Sequence, residues 1–310
     1  MSHQPGYQAL QRAAEGAVAA LRAMQRPSGE LPTYEAATPD MAGARPYAAS
    51  VYTTTFAVHA LRRFAEWPAA AAALAAAAAH LRAERNPDGS WSYEGRATTR
   101  VPPDLDDTAC AAAALCALGE GPDLRLFRLL WANEAAPGGP YYTWAGVNGG
   151  EHMLARQLDP LVNANVVFCA ALAGFELPGA AAYLRAQIDG DLGRASDYCL
   201  SPHLLVYALA RALADGPARA LSPAAPALLA HARAVGAGEP FQLACAAAAM
   251  LALGDAGGAR PLLGALLAAQ GADGAWPIGL AYTGYPPYFA GAPGLTTAIA
   301  LDALGRALGR

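Results

Sequence analysis

An internal repeat constrains the fold of this chain more than any other feature of its sequence. In three segments the end of a predicted helix is followed by a glycine turn and then by an aromatic or apolar residue. These segments are LRAMQRPSGELPTY from Leu21, HLRAERNPDGSWSY from His80 and LLAAQGADGAWPIG from Leu266. A recurring unit of this kind predicts an architecture of stacked, similar helix pairs.

Each of the three turns leads through a loop into a second helix. The second helices contain TTTFAVHAL, DDTACAAAAL and LTTAIALDAL, an alignment that makes Thr55, Thr108 and Thr297 equivalent. Weaker copies of the unit fill the middle of the chain. The sequence therefore predicts six pairs, with second helices starting near 53, 106, 163, 202, 241 and 296 and first helices starting near 7, 69, 122, 179, 222 and 259.

The second helices are apolar almost all round, which is typical of a buried inner ring. Hydrophobic residues make up 55% of the chain and charged residues 15%, and much of the apolar content is alanine, the best helix former. We therefore predict an all-α fold, a single (α/α)6 toroid over residues 1–310 with a central cavity. Parallel inner helices would gather their polar N-terminal residues at one mouth.

Charge and composition exclude several classes of function. The formal net charge is −4 without a block of five or more like charges, so nucleic-acid binding is not expected. The N-terminal segment has no basic stretch followed by an apolar one, and the apolar tracts are too short or too weakly hydrophobic to span a bilayer, which predicts a cytoplasmic protein. The five cysteines are scattered and contain no CxxC pair, so no metal site is expected.

Three carboxylates open one of the inner helices. They are Asp104, Asp106 and Asp107, in the segment PDLDDTACAAAAL. Helix capping would explain one of them, but not three within four residues. An ordinary aspartic acid is ionised at pH 7, but a second carboxylate in an apolar pocket raises the pKa of its neighbour, so one of the pair can keep its proton. The cluster therefore predicts acid catalysis.

Two motifs resemble those of known enzymes. QGADGAW, from Gln270 to Trp276, resembles the QW repeat of squalene-hopene and oxidosqualene cyclases, although RNPDGSW has Arg85 in place of Gln and QRPSGEL has Leu31 in place of Trp. PDLDDTA resembles the DxDD segment of class II terpene cyclases.

The resemblance implies a cyclase that protonates an alkene or epoxide of a polyprenyl substrate and templates cationic ring closure. In it Asp106 would donate the proton, with Asp104 as its partner and Asp107 as a buried structural carboxylate.

The resemblance also implies a hydrophobic isoprenoid substrate. Because such a substrate partitions into lipid, we also expect a peripheral contact of the protein with the membrane. The protonation needs no cofactor, and Mg²⁺ would enter only with a diphosphate substrate. Class II sites generally lie between two helical barrels, whereas this chain has the length for one. Its own loops, a homodimer or a partner protein would then close the cavity.

Aromatic residues cluster in the loops on the predicted mouth side, where they would either line the site or simply plug the barrel. The set is Tyr52, Trp91, Tyr93, Tyr141, Tyr142, Trp144, Tyr198, Tyr282, Tyr285, Tyr288 and Phe289. We assign substrate contacts to ten residues: Tyr52, Trp91, Tyr142, Trp144, Asn165, Tyr198, His203, Tyr285, Arg96 and Arg100.

Several of these polar residues have a second interpretation. His203, like His152, is either an assistant to the acid or an ordinary loop or cap residue. Arg96 and Arg100 either bind a diphosphate or lie in a solvated loop. Asn163 is interpreted as a helix N-cap, and Asn165 as a partner for a site carboxylate without a firm assignment.

Other functions remain open. An (α/α)6 glycoside hydrolase or lyase would need a second carboxylate across the cavity, for which Asp159, Asp197 and Glu239 are candidates. A protein prenyltransferase would need a zinc set of Asp, Cys and His, which we do not find in the sequence. A non-catalytic toroid would bind a lipid or a partner protein, with its cavity filled or Asp106 exposed to solvent.

Overall fold

A computed structural model describes residues 6–46, 50–96, 102–121, 123–145, 156–234, 236, 238–284 and 288–310. Within these ranges the chain forms twelve α-helices. The inner helices are α2 (Tyr52–Arg62), α4 (Leu105–Ala117), α6 (Pro160–Leu172), α8 (Pro202–Ala214), α10 (Pro240–Ala252) and α12 (Pro293–Ala307). The outer helices are α1 (Tyr7–Met24), α3 (Pro68–Ala83), α5 (Leu124–Ala132), α7 (Pro178–Ile188), α9 (Ala225–Ala234) and α11 (Ala256–Ala268).

The inner helices close into a ring. Each packs against the next one along the chain, and α12 packs against α2. Each outer helix packs beside an inner helix that neighbours it around the ring, as α1 does with α12 and α3 with α2. The predicted toroid of six helix pairs is confirmed.

Alanine allows the inner helices to approach one another closely. In α10 the side chains of Ala247, Ala248 and Ala249 are all fully buried, so this helix has no solvent-facing side over that turn. Among the described helices, none combines the length and the apolar character required to span a bilayer.

The glycine turns join neighbouring outer helices. Gly29 and Gly274 have φ angles of 92° and 82°. A Cβ atom at Gly29 would lie 2.0 Å from the carbonyl oxygen of Ala76 in α3, and one at Gly274 would lie 2.3 Å from that of Gly16 in α1. Only glycine fits both the backbone conformation and this close approach.

A threonine near the start of α2, α4 and α12 holds the glycine turn that precedes each of these helices. The backbone N–H groups of Trp91 and Trp276 donate to the hydroxyls of Thr108 and Thr297 at 3.0 and 3.1 Å. In the first repeat the N–H of Leu31 donates to Thr54 at 2.9 Å, so the predicted equivalence of Thr55 is wrong by one residue. Three consecutive threonines occupy this position, and only packing decides which one faces the turn.

The tryptophan of the repeat belongs to this structural turn. The indole N–H groups of Trp91 and Trp276 each donate at 2.7 Å to a carbonyl of the preceding outer helix, at Leu81 and Leu266. The Arg85 guanidinium lies 4.7 Å from the centre of the Trp91 ring. The copy with arginine therefore keeps a contact to its tryptophan through a cation–π interaction.

Four short strands add a small sheet to the helical architecture, which the sequence did not predict. They are β1 (Tyr34–Ala36), β2 (Arg45–Pro46), β3 (Tyr282–Gly284) and β4 (Tyr288–Gly291), in the order β2-β1-β4-β3 with antiparallel neighbours. The sheet pairs the loop of the first repeat with that of the last. It thereby positions tyrosines of β3 and β4 next to the mouth.

An ion-pair network lies at the opposite end of the inner helices. The Asp302 carboxylate of α12 accepts from Arg63 at 2.5 Å and from Arg306 at 2.9 Å. Asp215, at the end of α8, contacts the same two arginines. The hydroxyl of Tyr207 also donates to Asp302, at 3.2 Å. We call Arg63, Asp215, Asp302 and Arg306 the closed-end network.

Candidate active site

A cavity lies at the N-terminal ends of α2, α4 and α6, with an empty volume of about 540 Å³ when the space open to solvent is included. Its lining combines three carboxylates with aromatic and apolar side chains: Tyr52, Tyr93, Asp104, Asp106, Asp107, Thr143, Trp144, Leu161, Val162, Tyr198, Tyr282, Thr283 and Tyr288. The predicted convergence of inner-helix N-termini thus brings the three carboxylates to one hollow. Within the described residues, no other carboxylate lines it.

The tyrosines of the cavity contact one another. Tyr282 donates a hydrogen bond of 2.7 Å to the hydroxyl of Tyr93, and its ring meets that of Tyr52 edge to face at 4.9 Å. The Tyr198 hydroxyl donates to Gln157 at 2.6 Å. Aromatic faces attract cations without offering a lone pair for bond formation, so this wall suits a positively charged hydrocarbon.

Asp104 is the N-cap of α4. Its Oδ1 accepts the backbone N–H of Asp107 at 2.7 Å, and the adjacent N–H of Leu105 donates to the Thr143 carbonyl at 2.7 Å. Burial raises the pKa of Asp104 to about 6, opposed by hydrogen bonds from Asp107 and Asp106. The cap thus holds a carboxylate next to the other two acids.

Asp106 lines the cavity and keeps part of its surface accessible. Burial and the negative charge of Asp104 raise the pKa of Asp106 to about 7, against the opposing hydrogen bond from Asn165. The Asn165 side-chain amide donates to Asp106 Oδ1 at 2.7 Å. A substantial share of Asp106 is therefore un-ionised at neutral pH.

Asp107 is buried, with 3% of its surface exposed, and its Oδ1 has no hydrogen-bond partner. Burial, the charges of Asp104 and Asp106 and the hydrogen bond with the Asp104 side chain together raise its pKa well above the ordinary value. These influences favour the protonated form of Asp107.

The structure brings some of the predicted substrate contacts to the cavity. Tyr52, Trp144 and Tyr198 line it, and Asn165 lies behind it, in contact with Asp106. Tyr285 and Arg100, like His152, lie outside the described residues.

Four predicted contacts do not line the cavity. Trp91 is held in the repeat turn, and Tyr142 is held by backbone pairing with Leu158. The His203 side chain contacts the Ser201 hydroxyl, just before α8, and the Gly236 carbonyl at 3.1 Å. Both ring nitrogens are therefore engaged away from the acid. Arg96 is exposed and its backbone N–H donates to Glu84, which matches the solvated-loop interpretation.

The N-cap assignment of Asn163 is wrong. Helix α6 begins at Pro160, three residues earlier than predicted, and Asp159 caps it by accepting the N–H of Leu161 at 2.7 Å. Asn163 instead pairs with the backbone of Tyr141, accepting at 2.8 Å and donating at 3.0 Å. The proline at the first helical turn was the sequence signal for the earlier start.

Sequence reasoning missed one buried group behind the site. Arg211 of α8 is 2% exposed, and its Nη2 donates to Asn165 Oδ1 at 2.8 Å. A lone arginine in the otherwise apolar helix PHLLVYALARALA was the available signal. Tyr93, Tyr282 and Tyr288 were in the predicted aromatic set but were not assigned as contacts, although all three line the cavity.

The carboxylate candidates for a glycosidase have other roles. Asp159 caps α6, Asp197 accepts from Gln157 at 2.9 Å and Glu239 caps α10. In the part of the chain that the structure describes, no group of three or more His, Cys, Asp or Glu side chains is arranged to hold a metal ion.

Comparison with known proteins gives a match at the level of structure. No protein-family model matches the chain, and no curated protein matches it significantly. The apo structure of the type II terpene cyclase MstE from Scytonema superimposes with a TM-score of 0.73 at 20% identity, covering 98% of this chain and 99% of that one.

Two further structures of MstE variants match with the same coverage. One, in complex with geranylgeranyl dihydroxybenzoate as substrate, has a TM-score of 0.73 at 19% identity. The other, in complex with merosterolic acid A as product, has a TM-score of 0.72 at 18% identity. The chain thus has a class II terpene cyclase-like fold.

Proposed function

We propose that this chain is a class II terpene cyclase, which protonates an alkene or epoxide of a polyprenyl substrate and templates cationic ring closure. The observation that carries the proposal is Asp106: a carboxyl with a pKa of about 7, facing a cavity walled by tyrosines. An acid that keeps its proton at neutral pH beside cation-tolerant rings is what protonation of an olefin requires.

The reaction balances as an isomerisation. The O–H bond of Asp106 breaks while the π electrons of the terminal double bond form a new C–H bond, leaving a cation on the more substituted carbon. Successive double bonds attack the cation and close rings, and the last cation loses a proton to a base. Asp106 then regains a proton from solvent, so no metal or redox cofactor is needed.

The neighbours of Asp106 have distinct roles in this proposal. The Asn165 amide stabilises the carboxylate that Asp106 becomes, since its N–H already points at Oδ1. Asp104 raises the proton affinity of Asp106, and the protonated form of Asp107 is favoured beside Asp104. Tyr52, Trp144 and Tyr198 would line the path of the growing cation.

The substrate proposed is a hydrophobic isoprenoid. The lining of the cavity is mainly aromatic and apolar, with a few convergent polar groups, which suits a hydrocarbon chain. One of the matching MstE structures is a complex with its substrate, geranylgeranyl dihydroxybenzoate, so prenylated aromatics are the first compounds to try.

The test is direct incubation of the purified chain with four candidates, followed by mass spectrometry and NMR of the products. The candidates are geranylgeranyl dihydroxybenzoate, farnesyl diphosphate, geranylgeranyl diphosphate and squalene. The wild type should form a cyclic isomer, and Asp106→Asn should form none. Asp189→Asn is the matched control and should stay active, because Asp189 is exposed and does not line the cavity.

Two results would contradict the proposal. Full activity in a folded Asp106→Asn variant would remove the acid from the mechanism. Binding of these compounds without turnover in the wild type would favour a non-catalytic lipid-binding toroid.

A further inference from the structure

Arg211 is a buried cation that the proposed reaction does not use directly. It is 2% exposed, and no ion pair joins it to a carboxylate of the described residues. Its guanidinium lies over the rings of Phe56, Phe168 and Tyr207, at 4.9, 4.5 and 5.7 Å. A full charge in such a setting needs a strong reason, because burial of an ion is costly.

The one side-chain hydrogen bond that links Arg211 to the site determines the orientation of Asn165. A guanidinium can only donate, so the atom of Asn165 that faces it at 2.8 Å must be the carbonyl oxygen. The amide nitrogen must then face the other way. It lies 2.7 Å from Asp106 Oδ1, where it can only donate.

The fixed orientation of the Asn165 amide determines which oxygen of Asp106 carries the proton. Since Oδ1 accepts from Asn165, the transferable proton of Asp106 belongs on Oδ2. After the proton leaves, the carboxylate is joined to a permanent positive charge through a single amide. That arrangement favours the charged product of proton transfer over the neutral starting acid.

We propose that Arg211 is a positioning residue for Asp106: it locks Asn165 with its N–H toward the acid and stabilises the carboxylate formed when the proton is transferred. The part concerning turnover rests on the proposed cyclase function. The part concerning the ionisation of Asp106 does not, and can be measured without substrate.

Other charged and titratable groups around this chain of contacts set the sign of the expected change. Asp104 and Asp159 raise the pKa of Asp106, whereas Asn165 and Arg211 lower it. Asp107 and Cys110 of α4 and Tyr207 of α8 are further titratable groups around these contacts, and Tyr52, His59, Tyr198 and Asp302 face them from other elements. Removal of the cation takes away one of the two groups that lower the pKa of Asp106, so this pKa should rise.

The test compares two variants. Arg211→Met removes the positive charge and the hydrogen-bond donors from a side chain of similar length, and Arg211→Lys keeps a positively charged group that can only donate hydrogen bonds. The pKa of Asp106 is followed by infrared titration of its carboxyl C=O band, assigned by its absence in Asp106→Asn. In Arg211→Met this pKa should rise by about one unit, a tenfold weaker acid, and Arg211→Lys should restore most of the difference. Arg194→Met, at a fully exposed position, is the control and should change nothing.

Turnover supplies the second readout, with geranylgeranyl dihydroxybenzoate as the probe. Activity requires protonated Asp106, so it falls as pH rises through that pKa. In Arg211→Met this alkaline limb should move to higher pH while kcat falls on the order of tenfold or more and KM changes little. Asn165→Ala should shift the limb in the same direction, because it breaks the same link.

The outcomes separate the two proposals. A shifted C=O titration in Arg211→Met, with no cyclic product from the wild type, would uphold the role of Arg211 and reject the cyclase. Cyclic product with unchanged titration and unchanged limb in folded Arg211→Met would reject the role of Arg211 alone. Should Arg211→Met fail to fold, Arg211→Gln replaces it with the same criteria, and an unchanged titration in Asn165→Ala would count equally against the proposal.

Discussion

The two ends of the toroid treat buried aspartates in opposite ways. At the mouth, Asp107 is 3% exposed and its pKa is raised well above the ordinary value. In the closed-end network, Asp302 is 2% exposed and its pKa is lowered to about 2. Burial alone raises the pKa of both carboxyls.

The opposite pKa shifts at the two ends result from the positions of the arginines relative to the carboxylates. Arg306 and Arg63 touch Asp302 directly, and their charges outweigh the effect of burial. At the mouth, Arg211 reaches Asp106 only through Asn165, and the nearest charges are other carboxylates. At the closed end the ionised form of Asp302 is therefore favoured, and at the mouth the protonated forms of Asp106 and Asp107 are favoured.

The largest expected effect comes from removing the acid at the mouth. Asp106→Asn should reduce cyclisation by about 10⁴-fold, because the amide keeps the shape of the acid but has no proton to give. The free energy of unfolding should not fall, since the substitution removes a carboxylate whose ionisation is disfavoured. Product yield and a urea titration of the same preparation check both statements.

Asp302→Ala breaks the closed end. It leaves the buried cations Arg63 and Arg306 to share Asp215 alone, which should lower the free energy of unfolding by about 3 kcal/mol or more. Asp189→Ala, at an exposed position, should change it by less than about 0.5 kcal/mol. An Asp302→Ala variant as stable as the wild type would show that the network contributes nothing.

The pH dependence of stability sharpens the contrast between the ends. Asp302 has a lowered folded pKa, so its contribution is present above pH ~4 and is lost as pH falls toward about 2. Asp104 and Asp106 have raised folded pKa values of about 6 and 7, so they reduce stability as pH rises from ~4 through that range.

Asp106→Asn removes the contribution of Asp106 to the second slope and leaves that of Asp104 and the first slope in place. The stability gained by this variant relative to the wild type should therefore grow between pH 4 and pH 8, by about 1.4 kcal/mol for each unit of pKa difference that is removed. Denaturant titrations at several pH values measure it. A constant difference across this range would contradict the raised pKa of Asp106.

The smallest effect compares two buried tyrosine hydroxyls. Tyr207 donates to Asp302, so Tyr207→Phe should lower the free energy of unfolding by about 1 kcal/mol. The Tyr52 hydroxyl is buried without a partner, so Tyr52→Phe should leave stability unchanged or raise it, with the aromatic face retained. Thermal melts of both variants should separate them; equal losses would show that the Tyr52 hydroxyl is hydrogen-bonded in solution.

The repeat and the helical patterning were enough to predict the toroid. Six apolar helices, each starting within a few residues of its predicted position, can bury all their faces only inside a second ring of helices. The position of the three aspartates at the start of α4 followed from the same pattern, as did their convergence on the mouth. These features depend on the local order of residue types, which the sequence states directly.

The partners of each polar side chain were decided by the tertiary structure. Asp106 meets Asn165 from 59 residues away, and Asn165 meets Arg211 from 46 residues away. His203 carries the same residue type that would assist an acid, yet it turns toward Gly236. A hydrogen bond requires two atoms within about 3 Å, and periodicity places a residue only on a face of its helix. Closure of the helix ring sets the distances between these polar atoms, and those distances decide which aspartates favour the protonated form.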